Sequence, residues 1–134
     1  MRQLEKIIVN GTQYLLWNAT AGKQPAAAAI RLLLDGKAGV GAHHLLVVDT
    51  RRGTIRFFDA AGQECTPDAA ALYTAALWLS REGQAARAAA LLDALPAVAR
   101  ERLSDQTVRH IEVRLTDTFG RRLLRIASPA KIAG

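Results

Sequence analysis

The sequence predicts a single α+β domain, and three observations carry that prediction. Short apolar runs flank tight-turn signals at Asn10-Gly11, Arg51-Arg52-Gly53 and Ala61-Gly62, the pattern of strands joined in hairpins. Alanine-rich stretches with larger apolar residues at helical spacing lie between them. Neither an internal repeat nor a linker divides the 134 residues, a length that supports one ordinary core. The expected architecture is strands in hairpins with two or three helices on one side.

Each element has its own signal. Gln3 to Val9 and Gln13 to Trp17 are apolar runs around Asn10-Gly11, two residues that tolerate positive φ and so favour a hairpin. Pro25 suits a first helical position, the alanines after it are strong helix formers, and Gly36 suits a cap at the far end. Ile30, Leu33 and Leu34 form the buried stripe of that helix. Gly39 to Ala42 is a small-residue loop. Leu45 to Asp49 and Thr54 to Asp59 are strands across the Arg51-Arg52-Gly53 turn. Thr66-Pro67-Asp68 is a helix start: a capping threonine, a proline at the first position and an acid in the first turn. The helix runs through Leu72, Ala76 and Leu79 to Gly83, and a second runs from Gln84 to Leu95, ended by Pro96. Val108 to Leu115 and Arg122 to Ile126 alternate apolar with polar residues about a Thr118-Phe119-Gly120 turn and predict a closing hairpin. The tail after it is expected to fray.

Composition excludes several classes. Half of the chain is hydrophobic, but no apolar run approaches the roughly 18 residues of a membrane span. The amino terminus lacks the apolar core of a signal peptide. A lone cysteine, Cys65, precludes an internal disulfide and fits a cytoplasmic location. The net charge of +6 raises the question of an acidic or nucleic-acid partner. The arginines are scattered, however, with their tightest groups at Arg51-Arg52 and Arg121-Arg122-Arg125, and no aromatic RNA-binding motif or zinc-ligand spacing accompanies them. Solvated surface charge is the favoured reading, with no nucleic acid, metal or cofactor expected.

Three blocks resemble the amino-terminal half of diaminopimelate epimerase. KIIVNGTQYLLWN matches the opening strand, loop and strand, with Gly11 on the family glycine. Gly39-Val40-Gly41-Ala42-His43-His44-Leu45-Leu46-Val47-Val48 matches its glycine loop and following strand, and Phe58-Asp59-Ala60-Ala61-Gly62-Gln63-Glu64 matches its later turn. The resemblance covers most of the chain as residues 1–134 of one diaminopimelate-epimerase-like domain, where the family has two. It implies antiparallel and mixed β hairpins curled around a central helix, and a cleft between two domains. Each domain of the family supplies a cysteine at the start of its central helix. The free N–H groups there bind a substrate carboxylate and lower the thiol pKa.

The departures from the family concentrate at that site. Asp68 stands at the catalytic cysteine position, and Ala69 and Ala70 replace the glycine and asparagine after it. Thr12 replaces the substrate-contacting asparagine, His44 the polar residue before the strand, and Asp59 the asparagine of the turn. Asp68 reads either as a replacement base or as an acid complementing the helix dipole, and the second is favoured. Cys65 reads as a displaced nucleophile or, by preference, a half-buried structural thiol. His43 and His44 enter a strand on opposite faces, so only one of them serves any site, and His110 is far away in sequence. Gly39 and Gly41 precede a strand rather than a helix, which favours a structural loop over a phosphate cradle. Trp17, Trp78, Tyr73, Phe57 and Phe58 read as core or interface residues.

Three functional expectations follow. The leading one is a catalytically degenerate, stand-alone epimerase-like domain that binds or assembles. It would pair as a homodimer or with a related domain, because a lone domain leaves a flank of its central helix uncovered. The alternative is a cofactor-independent amino-acid or small-acid epimerase or isomerase rebuilt between two chains, with Asp68, His44 or Cys65 as the acid–base groups. The third is a basic adaptor for an acidic protein or RNA, which requires the arginines at 51, 52, 121, 122 and 125 to share a face.

Overall fold

The computed structural model describes residues 4–19, 25–116, 119 and 121. The fold is α+β. Strands β1 (Leu4–Val9) and β2 (Thr12–Asn18) are followed by helix α1 (Ala27–Leu34), then β3 (His44–Asp49), β4 (Thr54–Phe58) and β5 (Glu64–Cys65). Helices α2 (Ala69–Arg81), α3 (Ala85–Ala94) and α4 (Ala97–Ser104) precede β6 (Val108–Val113). The strands form one mixed sheet in the order β5-β4-β3-β2-β1-β6. Every neighbouring pair is antiparallel except β2 and β3.

Turn chemistry explains the hairpins. Asn10 (φ 49°) and Gly11 (φ 87°) make the two-residue turn expected between β1 and β2. The β3–β4 turn is held by Asp49, whose Oδ1 accepts from the backbone N–H of Arg51 (3.0 Å) and Arg52 (3.2 Å). The β4–β5 turn repeats the device with Asp59, which accepts from Ala61 (2.9 Å) and Gln63 (3.0 Å). A parallel pair needs a crossover, and the chain through α1 supplies it between β2 and β3.

Strand alternation divides the core in two. Ile7, Val9, Tyr14, Leu16, Leu46, Val48 and Phe57 face α2 and Ala88 of α3. Leu4, Leu15, Leu45, Val47 and Phe58 face the opposite way, onto Ala29, Ile30, Leu33 and Leu34 of α1. The predicted stripe of α1 is therefore correct. The expectation of helices on one side is not, because that stripe is buried on the face opposite α2. An isolated eight-residue helix is marginal in water, and α1 has no side-chain cap. Packing holds it, with each fully buried Leu or Ile contributing roughly 1.5–3 kcal/mol.

Several boundaries differ from the sequence expectation for local reasons. Pro25 lies before α1 rather than in its first turn, and Asp35, not Gly36, ends the helix. Asp35 Oδ1 accepts from the N–H of Lys37 (2.7 Å) and Ala38 (2.9 Å), which turns the chain. Asp68, not Thr66, caps α2, and Pro67 precedes the cap. Pro96 ends α3 as expected but is also the N-cap position of α4, a helix the sequence reading missed. The only buried residue of α4 is Leu103, so it shows little amphipathic signal. The second strand predicted for the closing hairpin, Arg122 to Ile126, lies outside the described residues.

Helix α2 is not left open. Its sheet-facing side carries Ala71, Ala75, Ala76, Trp78 and Leu79. Its other side is covered from within the chain, where Tyr73 packs with Leu95 and Leu103. Tyr73 is 9% exposed and Trp78 is 4% exposed, so both are core residues rather than a seam awaiting a partner.

Candidate functional site

Of the residues singled out from the sequence, Asp68, Ala69 and Ala70 sit at the start of α2. Asp68 accepts a hydrogen bond from the Ala71 N–H at 2.8 Å through Oδ1. It thereby fills one of the donors that a helix start would otherwise offer to an anion. Ala69 and Ala70 form the first turn, and the Ala70 carbonyl accepts from the hydroxyl of the fully buried Thr74 at 2.7 Å. Thr12 opens β2 beside the Asn10-Gly11 turn. The Asp59 carboxylate is committed to its own turn, as described above. Cys65 is half-buried on β5, with Sγ 3.6 Å from the Gln63 carbonyl oxygen and 4.0 Å from Asp59 Oδ2.

His44 and His43 diverge as strand geometry requires. His43 is exposed, and its Nδ1 accepts from the Gln13 N–H at 2.9 Å. His44 turns inward, with its ring centroid 5.6 Å from that of Tyr14 and 4.7 Å from that of Phe57. Its Nδ1 is buried with no hydrogen-bond partner among the described residues. Burial, reinforced by the Asp68 carboxylate, pushes the Tyr14 phenol up to about 12. Among the described residues, no hydrogen bond joins Asp68, Cys65 and His44 to one another. Phe57 neighbours two of them: it is the register partner of Cys65, and its ring lies tilted against that of His44.

The glycine loop is consumed by the end of α1. Gly39 N–H donates to the Asp35 carbonyl (3.0 Å), Val40 and Gly41 to that of Leu33 (2.9 and 3.1 Å), and Ala42 to that of Leu34 (3.3 Å). These are the carbonyls that a helix end leaves unpaired. With its amides engaged, the loop has no row of donors for a phosphate. A Cβ on Gly39 would fall inside contact distance of the Leu32 carbonyl oxygen, so close approach explains that glycine.

A second group of residues, which the sequence reading did not assemble, lines a cleft at the other end of α2. Leu4, Glu5, Trp78, Arg81, Glu82, His110 and Glu112 surround a volume of about 430 Å³. The β1–β6 register places Ile7 opposite His110 and Glu5 opposite Glu112, so Glu5 and His110 are diagonal neighbours on one face. His110 Nδ1 lies 2.8 Å from Glu5 Oε2, and Arg81 Nε lies 3.4 Å from the same oxygen. The Glu5 side chain is only 14% exposed. His110 is distant from Glu5 in sequence, and it is the sheet register that brings residues 105 positions apart into contact. One signal was available: Glu5 shares strand parity with Ile7 and Val9, so it is a charge at an inward position.

Of the arginines in the adaptor reading, Arg51 and Arg52 are exposed in the β3–β4 turn and Arg121 is also exposed. Arg52 Nε is 3.8 Å from Asp49 Oδ2. Arg122 and Arg125 lie outside the described residues. No three His, Cys, Asp or Glu side chains among the described residues are grouped to hold a metal ion. No described helix is long and apolar enough to cross a membrane. No protein-family model matches the chain, and a search of curated proteins finds no match.

Proposed function

We propose that the chain is a stand-alone, diaminopimelate-epimerase-like domain that does not carry out that family's chemistry and acts in binding or assembly. The observation that carries this reading is the commitment of the family-equivalent groups to the backbone. Asp68 caps α2 and Asp59 closes the β4–β5 turn. The amides of the glycine loop end α1. A carboxylate that already accepts an N–H at a helix start also repels a second carboxylate there, so this helix end is poorly suited to an acidic substrate.

Pairing, as a homodimer or with a related domain, is part of the proposal. Because Tyr73 and Trp78 are inside the chain, the pairing surface would lie elsewhere. Among the described residues, Val98 of α4 (69% exposed) and Ile111 of β6 (37% exposed) are the exposed large apolar side chains. Two measurements test the reading. The mass in solution should exceed that of one chain and fall on placing a charge at Ile111 or Val98. Incubation with diaminopimelate in deuterated water should leave its α-proton unexchanged. Exchange that Asp68→Asn abolishes would overturn the non-catalytic part, and a monomer at all concentrations would overturn self-pairing.

A further inference from the structure

The cleft at the carboxy-terminal end of α2 holds a set of groups that the proposed function leaves unused. The contact between His110 Nδ1 and Glu5 Oε2, at 2.8 Å, selects the tautomer with its proton on Nδ1 and its lone pair on Nε2. Among the described residues Nε2 has no hydrogen-bond partner, and the ring lines the cleft. The same contact fixes the orientation of the ring in the cleft. Arg81 is held by the same carboxylate oxygen, and its side chain is 55% exposed. It brings a permanent positive charge to the cleft wall. Glu82 and Glu112 on the lining disfavour an anionic ligand.

We propose that Glu5 and His110 form an acid–base centre that hydrolyses small uncharged esters, with Arg81 stabilising the oxyanion. In the first step His110 Nε2 takes a proton from water as the water oxygen bonds to the acyl carbon. The carbonyl electron pair moves onto oxygen, next to the Arg81 guanidinium. Collapse of this adduct re-forms the carbonyl and breaks the bond to the alcohol oxygen, which leaves with the proton from Nε2. One ester and one water give one acid and one alcohol, and the imidazole is regenerated. The centre lies at the opposite end of α2 from Asp68, so this proposal goes beyond the proposed function and its failure leaves that reading standing.

The test uses the full chain and p-nitrophenyl acetate, followed by release of p-nitrophenolate. Hydrolysis should saturate with substrate. His110→Gln should lower kcat/KM by about 100-fold or more, the scale of a positioned base. Glu5→Gln, which keeps an acceptor for Nδ1–H but removes the charge, should lower kcat while leaving KM unchanged. His43→Gln, an exposed histidine outside the cleft, should leave the rate unchanged. Circular dichroism establishes that each variant is folded. If His110→Gln does not fold, carbethoxylation of the unmodified chain replaces it, and modification at His110 should track loss of activity. Hydrolysis that does not saturate, that survives loss or modification of His110, or that falls equally in His43→Gln would overturn the proposal.

Discussion

Replacement of Asp68 separates its two readings most cleanly. If the carboxylate is a cap, an acceptor is what matters, and asparagine and serine supply one while alanine does not. The bond at stake is the 2.8 Å contact from the Ala71 N–H. Loss of an N-cap acceptor costs about 1 kcal/mol, within a range of about 0.5–2. For 134 residues, an unfolding entropy of roughly 2.1 cal/mol/K per residue makes each kcal/mol worth about 3–4 °C in Tm. Asp68→Ala should therefore lower Tm by about 2–7 °C, whereas Asp68→Asn should stay within about 2 °C of the parent. The assay is thermal unfolding by circular dichroism at neutral pH. The cap reasoning fails if Asn is as damaging as Ala, or if Ala costs nothing.

The remaining predictions address single features. Gly39→Ala should destabilise by about 3 kcal/mol or more, because its Cβ meets a backbone oxygen that cannot move aside. Gly41→Ala, at φ +82° with looser surroundings, should cost about 1–2 kcal/mol, and chemical denaturation should rank them in that order. His44→Phe keeps ring contacts with Tyr14 and Phe57 while removing the unpaired buried Nδ1. It should be neutral or stabilising by about 1 kcal/mol, and a fall in the denaturation midpoint would show that the nitrogen has a role. The Tyr14 phenol, at about 12 in the fold, stays protonated where an unfolded tyrosine, near 10, ionises. The folded state then holds more protons than the unfolded state, so the Tyr14 contribution to stability falls as pH rises above about 10. Alkaline titration by ultraviolet absorbance should show a late tyrosine transition that Tyr14→Phe removes. The two turn bonds from Ala38 and Lys37 hold the Asp35 carboxyl below its ordinary value. Its stabilising effect is therefore present above that value and lost as pH falls through the folded pKa, and in Asp35→Asn this acid-side slope should be weaker.

Local chemistry made much of the fold legible. Asn10-Gly11, with its positive φ values, announces the first hairpin, and the paired strands follow from alternation on either side. The stripe of α1 and the span of α2 were readable because each repeats at helical spacing over two or more turns. The short strand β5 and the helix α4 were not, since two residues show no period and α4 buries a single side chain. At the start of α2 the sequence reads Thr66 as the cap and Asp68 as a first-turn acid, and the structure moves the cap two residues on, to Asp68. Where the backbone turns helical is set by φ and ψ, and only geometry reports it.

The cleft marks the limit more sharply. Nothing near Glu5 in sequence names His110 or Arg81 as its partners. The β1–β6 register and the packing of α2 on the sheet choose them, and both arise from long-range packing. The face assignment of α1 has the same origin, because an amphipathic helix records that one side is buried but not which side of a sheet will bury it. By itself the sequence determined the α+β class, the turns and most helix and strand positions, all of which depend on residues within a few positions of one another. The tertiary structure alone decided that helices cover both faces, that Tyr73 and Trp78 are enclosed within one chain, and that Glu5, Arg81 and His110 meet. Each of those outcomes depends on which distant surfaces exclude water together.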